Sequence, residues 1–321
     1  MKSKSPLVSI GMPVHNGGRF LSEALDSLLN QDFQDFELII SDNASTDNTA
    51  EICKQYLEKD SRIKYYRNAV NIGMLANFNN LIKSATAPYF MWASHDDVWE
   101  PSYISELINI LESDKSIVLA FSDFDNVDEN GRQIKRYPKM LKLSSSETIF
   151  KRAYRFILFK EEDGKANLMY GLMRAPIIQE IGGIVNLGRG DYGLDDLTLF
   201  LILFKGNFYI TNKLLFHKRL VSTADKQPTA SARTIYKYLI ETRRSIRNLC
   251  ERSLAIHGYF FGYRRIIATS KLPLNEKSIL YFLTILRELK WNVGNIFVAL
   301  KRFIHQVLHT ALYKLTEITA T

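Results

Sequence analysis

The chain has 321 residues, 46% of them hydrophobic, and a formal net charge of +8 at pH 7. That supports one large core plus an appendage. Cys53 and Cys250 are the only cysteines, too few for a disulfide framework or a thiolate metal cage, which suits a reducing cytoplasm. No stretch is apolar for long enough to span a bilayer. The run Leu7–Met12 is broken by Pro13, His15 and Asn16 before it resembles a secretory signal, so a cytoplasmic protein is expected. The basic excess is uneven: residues 230–321 carry a net +10 and the rest a net −2.

In chain order, the first hundred residues alternate strand and helix. Leu7–Met12 reads as a strand, and the loop Pro13–Gly18 leads into a helix with Phe20, Leu21, Ala24, Leu25, Leu28 and Leu29 at helical spacing. Phe36–Ile40 is a second strand, ending in Ser41-Asp42-Asn43-Ala44-Ser45-Thr46-Asp47, whose turn formers cap a helix over Asn48–Leu57. Ile63–Tyr66 is a third strand, followed by a loop with Asn71 and Gly73 and a helix over Met74–Ala85. Tyr89–Ala93 is a fourth strand, Pro101–Leu111 a helix and Ile117–Phe121 a fifth strand. Such alternation means right-handed βαβ units and a mainly parallel, doubly wound sheet with helices on both faces.

The fourth strand runs into Asp96-Asp97. In an open α/β sheet the ligand crevice lies outside the carboxyl ends of the strands, and two carboxylates there suit a cation such as Mg²⁺ that completes its shell with water and phosphate. A solvated turn is the other reading of an Asp-Asp pair. Two ligand classes are removed by absence: neither G-x-G-x-x-G nor G-x-x-x-x-G-K-[ST] follows the first strand.

Pro13-Val14-His15-Asn16, then Ser41 to Asp47, then Asn71-Ile72-Gly73 with Asn77, then His95-Asp96-Asp97 and Pro101 resemble the ordered motifs of the family-two inverting glycosyltransferases. The resemblance covers roughly the first 220 residues and implies a GT-A fold acting on a nucleotide-sugar donor. It implies that Pro13, His15 and Asp42 line the nucleoside pocket, with Asn16, Asn71 and Gly73 in the same loops. Asp96 and Asp97 would hold the ribose and a divalent metal, Mn²⁺ or Mg²⁺, on the diphosphate. Three departures bear on which nucleotide or metal is used: Ser94 and Asn43 stand where the family often has Asp, and His15 where Tyr is frequent.

Further on, a helix is expected over Glu147–Phe159, with Arg152 and Arg155 on a solvated face, then a strand over Leu168–Arg174 and a bend at Gly182-Gly183. Asp195-Asp196 opens an apolar helix over Leu197–Phe204. Acids suit a helix start with no chemistry at all. The resemblance makes Asp196, the second of the pair, the catalytic base, although a helix amino terminus lowers a carboxylate's pKa. His217-Lys218-Arg219 follows the strand Leu214–Phe216, either as a surface cluster or, through Arg219, beside a leaving diphosphate.

Residues 1–222 are thus read as the nucleotide-sugar-binding catalytic domain and residues 223–321 as a basic helical region. Residues 222–233 read as a linker or mobile lid, and Tyr236, Leu239, Ile240, Ile246 and Leu249 share one helical pattern. A last helix carries an apolar face from Val293 to Leu315, with Trp291 at its start, which either packs on protein or lies on an anionic membrane. The expected partners are a nucleotide sugar and a glycan or lipid-linked acceptor. The carboxy-terminal charges are spread over several helices, so nucleic acid is not expected. A non-catalytic nucleotide-sugar-binding protein is the alternative, and a sugar-phosphate nucleotidyltransferase is disfavoured by the missing Gly-rich loop.

Overall fold

Strands that are apolar on both faces need cover on both. β1 (Val8–Val14), β2 (Phe36–Asp42) and β4 (Tyr89–Trp92) are buried at every position. The computed structural model describes residues 5–144, 147–187, 193–220 and 253–294. With β3 (Ile63–Arg67), β5 (Val98–Trp99), β6 (Ile117–Val127), β7 (Gln133–Arg136), β8 (Leu172–Arg174) and β9 (Asn207–Arg219), these strands form one sheet. Its order is β3-β2-β1-β4-β8-β6-β9-β5, and β7 pairs with β6. The sheet is mixed but mainly parallel, as expected: β8 is antiparallel to β4 and β6, β5 to β9, and β7 to β6.

α1 (Leu21–Leu29) and α2 (Thr49–Lys59) connect β1 to β2 and β2 to β3, stepping outward. α3 (Met74–Ser84) returns the chain from β3 to β4, so right-handed crossovers put it on the opposite face. Gly11 allows that approach: a Cβ there would lie 2.9 Å from the Phe90 ring and 3.0 Å from Leu81 Cβ on α3. The chain reverses its direction of travel between β1 and β4, and the ends of both strands feed the crevice.

The second half departs further from the pattern read in the sequence. β6 runs six residues past Phe121, because β9 on one side and β7 at its end pair its polar residues Ser122, Asp123, Asp125 and Asn126, all buried. The expected strand Leu168–Arg174 is extended only from Leu172, after 3₁₀ turns over Lys165–Tyr170. The short strands β5 and β7 and the helix α6 (Ala175–Ile181) were not expected. α6 follows α4 (Tyr103–Ser113) and α5 (Ile149–Leu158) in the chain and ends at left-handed Gly182. α7 (Leu194–Leu203) begins three residues earlier than expected, so Asp195 and Asp196 stand inside its first turn. Phe216 on β9 gathers Trp99, Tyr103, Phe121, Phe124 and Tyr170 within 5.6–6.3 Å between ring centroids, an aromatic core that fixes β5 against β9. Arg152 is not on a solvated face: it donates to Glu147 O, Asn207 Oδ1 and Leu203 O.

The chain divides into two compact units, Met1–Val185 with Gly193–Ala224, and Asn186–Tyr192 with Asp225–Thr321. In the second, residues 253–269 and 274–294 are helical. The linker expectation for residues 222–233, the pattern from Tyr236 to Leu249, and the apolar face beyond Gly294 lie outside the described residues. Among the described residues no helix is long and apolar enough to cross a membrane.

Candidate active site

The loops after β1, β2 and β3 are tied together by their own short polar side chains. Asn16, with φ of 53°, accepts from the Thr46 N–H through Oδ1 at 2.8 Å, and its N–H donates to Ser45 Oγ at 2.9 Å. Asp42 is fully buried, accepting the Ser45 N–H at 2.8 Å and the Tyr65 hydroxyl at 2.8 Å, with Arg67 Nε at 3.3 Å. Asn43 donates to Asn71 Oδ1 at 2.8 Å, which also accepts the Gly73 N–H at 2.9 Å. Gly73 itself needs its left-handed φ of 84°. His15 and Asn71 are exposed and their side chains meet at 3.4 Å, while Pro13 is buried in β1 beside Ser41 of β2. A Cβ on Gly17 would fall 2.5 Å from His95 Cδ2, so this loop abuts the one bearing the aspartate pair.

Pairing of β5 with β9 sets Val98 opposite His217 and Trp99 opposite Phe216, which brings Asp97 to the end of β9. Asp97 is 0% exposed. Its Oδ1 accepts the Arg219 N–H at 2.9 Å, and Lys218 Nζ lies 3.7 Å from Oδ2. Burial pushes its carboxyl up to about 6, against the pull of Lys218. Asp97 is thus the buried member of the pair, its Oδ2 without a hydrogen-bond partner among the described residues. Asp96 is partly exposed, and its Oδ1 accepts the Ser94 hydroxyl. Among the described residues no group of three or more His, Cys, Asp or Glu could hold a metal alone. A lone reachable carboxylate suits a hard cation whose other positions are taken by diphosphate oxygens and water.

Arg219 does not reach outward as expected. Its guanidinium, 2% exposed, donates from Nε to Asp96 O at 2.9 Å and from Nη1 to Glu129 O at 3.0 Å, pairs with Glu23 at 2.7 Å and covers the Phe20 ring. It fastens the Asp96 loop to α1 and to the end of β6. Arg219→Ala should lower unfolding stability by about 2–4 kcal/mol, because it empties the buried site of the guanidinium and leaves its part-buried acceptors unpaired; urea titration measures this. Lys218, one residue earlier, is the more open cation, with its ammonium 4.7 Å above the Tyr170 ring.

Burial also divides the acid pair at α7. Asp196 is 3% exposed, and its carboxylate faces Lys165 at 3.2 Å, a lysine that is itself 1% exposed. Asp195 is the partly exposed member, and its Oδ1 accepts the Asp196 N–H at 2.9 Å. Burial, then the charge of Asp196, pushes its carboxyl up to about 6. The lowering expected from the helix terminus is outweighed.

A profile for glycosyl transferase family 2 matches residues 9–175. This chain belongs to glycosyl transferase family 2. An uncharacterized glycosyltransferase of Rickettsia typhi is 34% identical over 131 residues, covering 40% of this chain and 40% of that protein, so the chain matches about two fifths of that relative's length. Among solved structures, S. aureus TarS residues 1–349 in complex with UDP-GlcNAc is similar at a TM-score of 0.59 and 17% identity, over 85% of this chain and 70% of that one. The mannosyltransferase PcManGT of Pyrobaculum calidifontis, in complex with GDP-Man and Mn²⁺, is similar at a TM-score of 0.56 and 16% identity, over 97% and 80%. These likenesses show the GT-A fold.

The family-2 match spans the loops after β1 to β4 but stops short of Asp195, Asp196 and Lys218, so the local geometry there rests on this chain alone. Tyr170 belongs to the same cluster and was missed in the sequence. Burial raises its hydroxyl pKa, Lys218 opposes that, and the charges of Asp97, Asp96 and Asp195 add to it. Its ring lies 4.7 Å beneath the Lys218 ammonium. Its only sequence signal was an aromatic residue before Gly171, where a Cβ would lie 2.6 Å from Ala120 O.

Proposed function

We propose that the chain is an inverting glycosyltransferase that moves a sugar from a nucleotide-diphosphate sugar to an acceptor hydroxyl. The observation that carries the reading is Lys218, whose ammonium lies 3.7 Å from Asp97 and 4.7 Å above the Tyr170 ring, so that a fixed cation stands beside the aspartate loop where a diphosphate would need one. The nucleoside would lie over the loops bearing Pro13, His15, Asn16, Asp42, Asn71 and Gly73. Asp96 would hold a divalent cation, Mn²⁺ or Mg²⁺, with the diphosphate oxygens; such a cation supplies positive charge against the leaving group. Asp195 takes the acceptor proton as that oxygen attacks the anomeric carbon from the face opposite the diphosphate. Lys218 sets a fixed positive charge near the departing phosphates.

The acceptor is proposed to be a glycan or lipid-linked glycan in surface polysaccharide synthesis. Incubation with UDP-, dTDP- and GDP-sugars, Mn²⁺ and candidate acceptors, read as nucleoside diphosphate release and product mass, tests the reading. Binding of a donor with no turnover on any acceptor would leave the non-catalytic binding protein as the better account.

A base with its carboxyl near 6 makes a pH prediction. Transfer should rise as pH increases through about 6 and level off above 7, falling about tenfold per pH unit on the acid side. Stability runs the other way. Asp195 has its folded-state pKa raised above the ordinary value of about 3.9, so its contribution is fully present below about 4 and is lost as pH rises through about 6. Asp195→Asn should therefore be more stable than wild type at pH 8, by on the order of 1–3 kcal/mol, and equal to it near pH 4. Urea titrations at the two pH values provide the comparison.

A further inference from the structure

Three buried side-chain atoms on one face of the neighbouring strands β6, β9 and β5 have no hydrogen-bond partner among the described residues: Asp97 Oδ2, Trp99 Nε1 and Asn126 Oδ1. The first two have other company. Asp97 Oδ2 has the Lys218 ammonium 3.7 Å away, and the Trp99 ring is stacked on Phe216 inside the aromatic core. Asn126 has neither a counter-charge nor a ring to account for it. It is 7% exposed, and a buried amide oxygen without a donor is costly, which is why such groups are few in native proteins.

The fold places that oxygen beside the candidate active site. Register sets Asn126 of β6 opposite Lys218 of β9, and side chains in register share a face of the sheet. Asp125, one residue earlier, is turned to the other face, where it meets His217 and Gln133. Because β9 lies between β6 and β5, Asn126 stands about 5 Å from Lys218 and about 10 Å from the aspartate loop, counted in strand spacings across the sheet. Lys218 keeps 27% of its side chain exposed. A molecule seated against that lysine reaches Asn126 next.

The amide is fixed in place. Its Nδ2 donates to the Tyr137 hydroxyl at 2.7 Å, and the Tyr137 ring is itself stacked on Phe124 at 4.5 Å and carries the Lys135 ammonium 4.4 Å from its centroid. A tyrosine hydroxyl both donates and accepts, so whichever way round the amide lies, one end is taken by Tyr137 and the other is left over. A sugar hydroxyl satisfies either end, whereas a phosphate oxygen cannot meet Oδ1 and a cation is opposed by the neighbouring Lys218 ammonium. We propose that Asn126, oriented by Tyr137, binds a hydroxyl of a substrate sugar, either the sugar being transferred or the one that receives it. This rests on the glycosyltransferase reading and adds to it a residue that reads the sugar and not the nucleotide.

Calorimetry with UDP-, dTDP- and GDP-sugars and with the corresponding free nucleoside diphosphates, beside the acceptor KM of the transfer reaction, tests the proposal. Asn126→Leu, close in volume but without polar atoms in its side chain, should bind the free diphosphate as wild type does and lose about tenfold either in affinity for the nucleotide sugar or in acceptor KM. The first loss puts the hydroxyl on the transferred sugar, the second on the acceptor. Tyr137→Phe should move the same quantity by a smaller factor, because it releases the amide without removing it. Asn126→Leu should also unfold at an equal or higher urea concentration, since it removes an unmet buried acceptor. An active wild type beside an Asn126→Leu variant that keeps both quantities overturns this inference alone, and so does a variant that loses free diphosphate binding to the same extent. A wild type that releases nucleoside diphosphate from no donor overturns the glycosyltransferase reading and this inference with it.

Discussion

Asp195→Asn is expected to cut sugar transfer by roughly 10²-fold or more while donor affinity stays near wild type. Asparagine keeps the shape and still accepts the Asp196 N–H that Asp195 Oδ1 holds at 2.9 Å, so the first turn of α7 is preserved and only proton acceptance is lost. The contrasting variant is Asp196→Asn. It removes one of the two carboxylates facing Lys165, a 1% exposed lysine that also pairs with Glu161 at 3.2 Å, and its main cost should fall on folding, because a buried cation loses its buried counter-ion and keeps only the more exposed one. Product formation and equilibrium donor binding, measured on both variants with unfolding curves alongside, separate the two roles. An active Asp195→Asn beside a well-folded but inactive Asp196→Asn would return the base to Asp196, the residue the family resemblance favours.

That the sequence does not tell the two acids of the pair apart has a physical reason. Spacing marks a pair of acids at a helix start, and it also indicates that so apolar a helix as Leu197–Leu203 must be buried. It carries no information on which carboxylate meets Lys165, a residue thirty positions earlier that sits in a 3₁₀ turn with no periodic signal. The same limit applies at Asp97 and Arg219, brought together by the two-residue strand β5, which is too short to register against the helix start at Pro101. The first four strands and three helices were legible to within one or two residues, apart from strand ends. There each strand is a short apolar run punctuated by Asn, Asp or Gly, and the loops close on near neighbours such as Asn43 and Asn71. β6 was foreshortened because its polar half is buried by partner strands, a tertiary effect that hides a strand from a hydrophobicity pattern, and β9 because exposed Tyr209, Asn212 and Lys213 interrupt its apolar run. Lys218 was visible as a basic residue, but only the fold shows that it is more open than Arg219, which the sequence marks equally.

Asp96→Asn should abolish the dependence of donor binding on a divalent cation. Asp96 is the partly exposed carboxylate of its pair, and its known side-chain partner is the Ser94 hydroxyl, so substitution disturbs little else and the fold should be retained. Asp97→Asn makes the informative comparison. It keeps an oxygen to accept the Arg219 N–H but strips Lys218 of its counter-ion, in a position that is 0% exposed. That variant should lose stability and keep a metal response, the reverse of Asp96→Asn. Calorimetric titration of a UDP- or GDP-sugar with and without Mn²⁺ reads the first effect: in wild type the metal should tighten binding by at least about tenfold, or about 1.4 kcal/mol, and in Asp96→Asn the two titrations should coincide. If the metal still tightens donor binding to Asp96→Asn and no longer does so in a folded Asp97→Asn, the buried carboxylate must open to the cation when the donor binds, and the division of roles between the two aspartates is reversed.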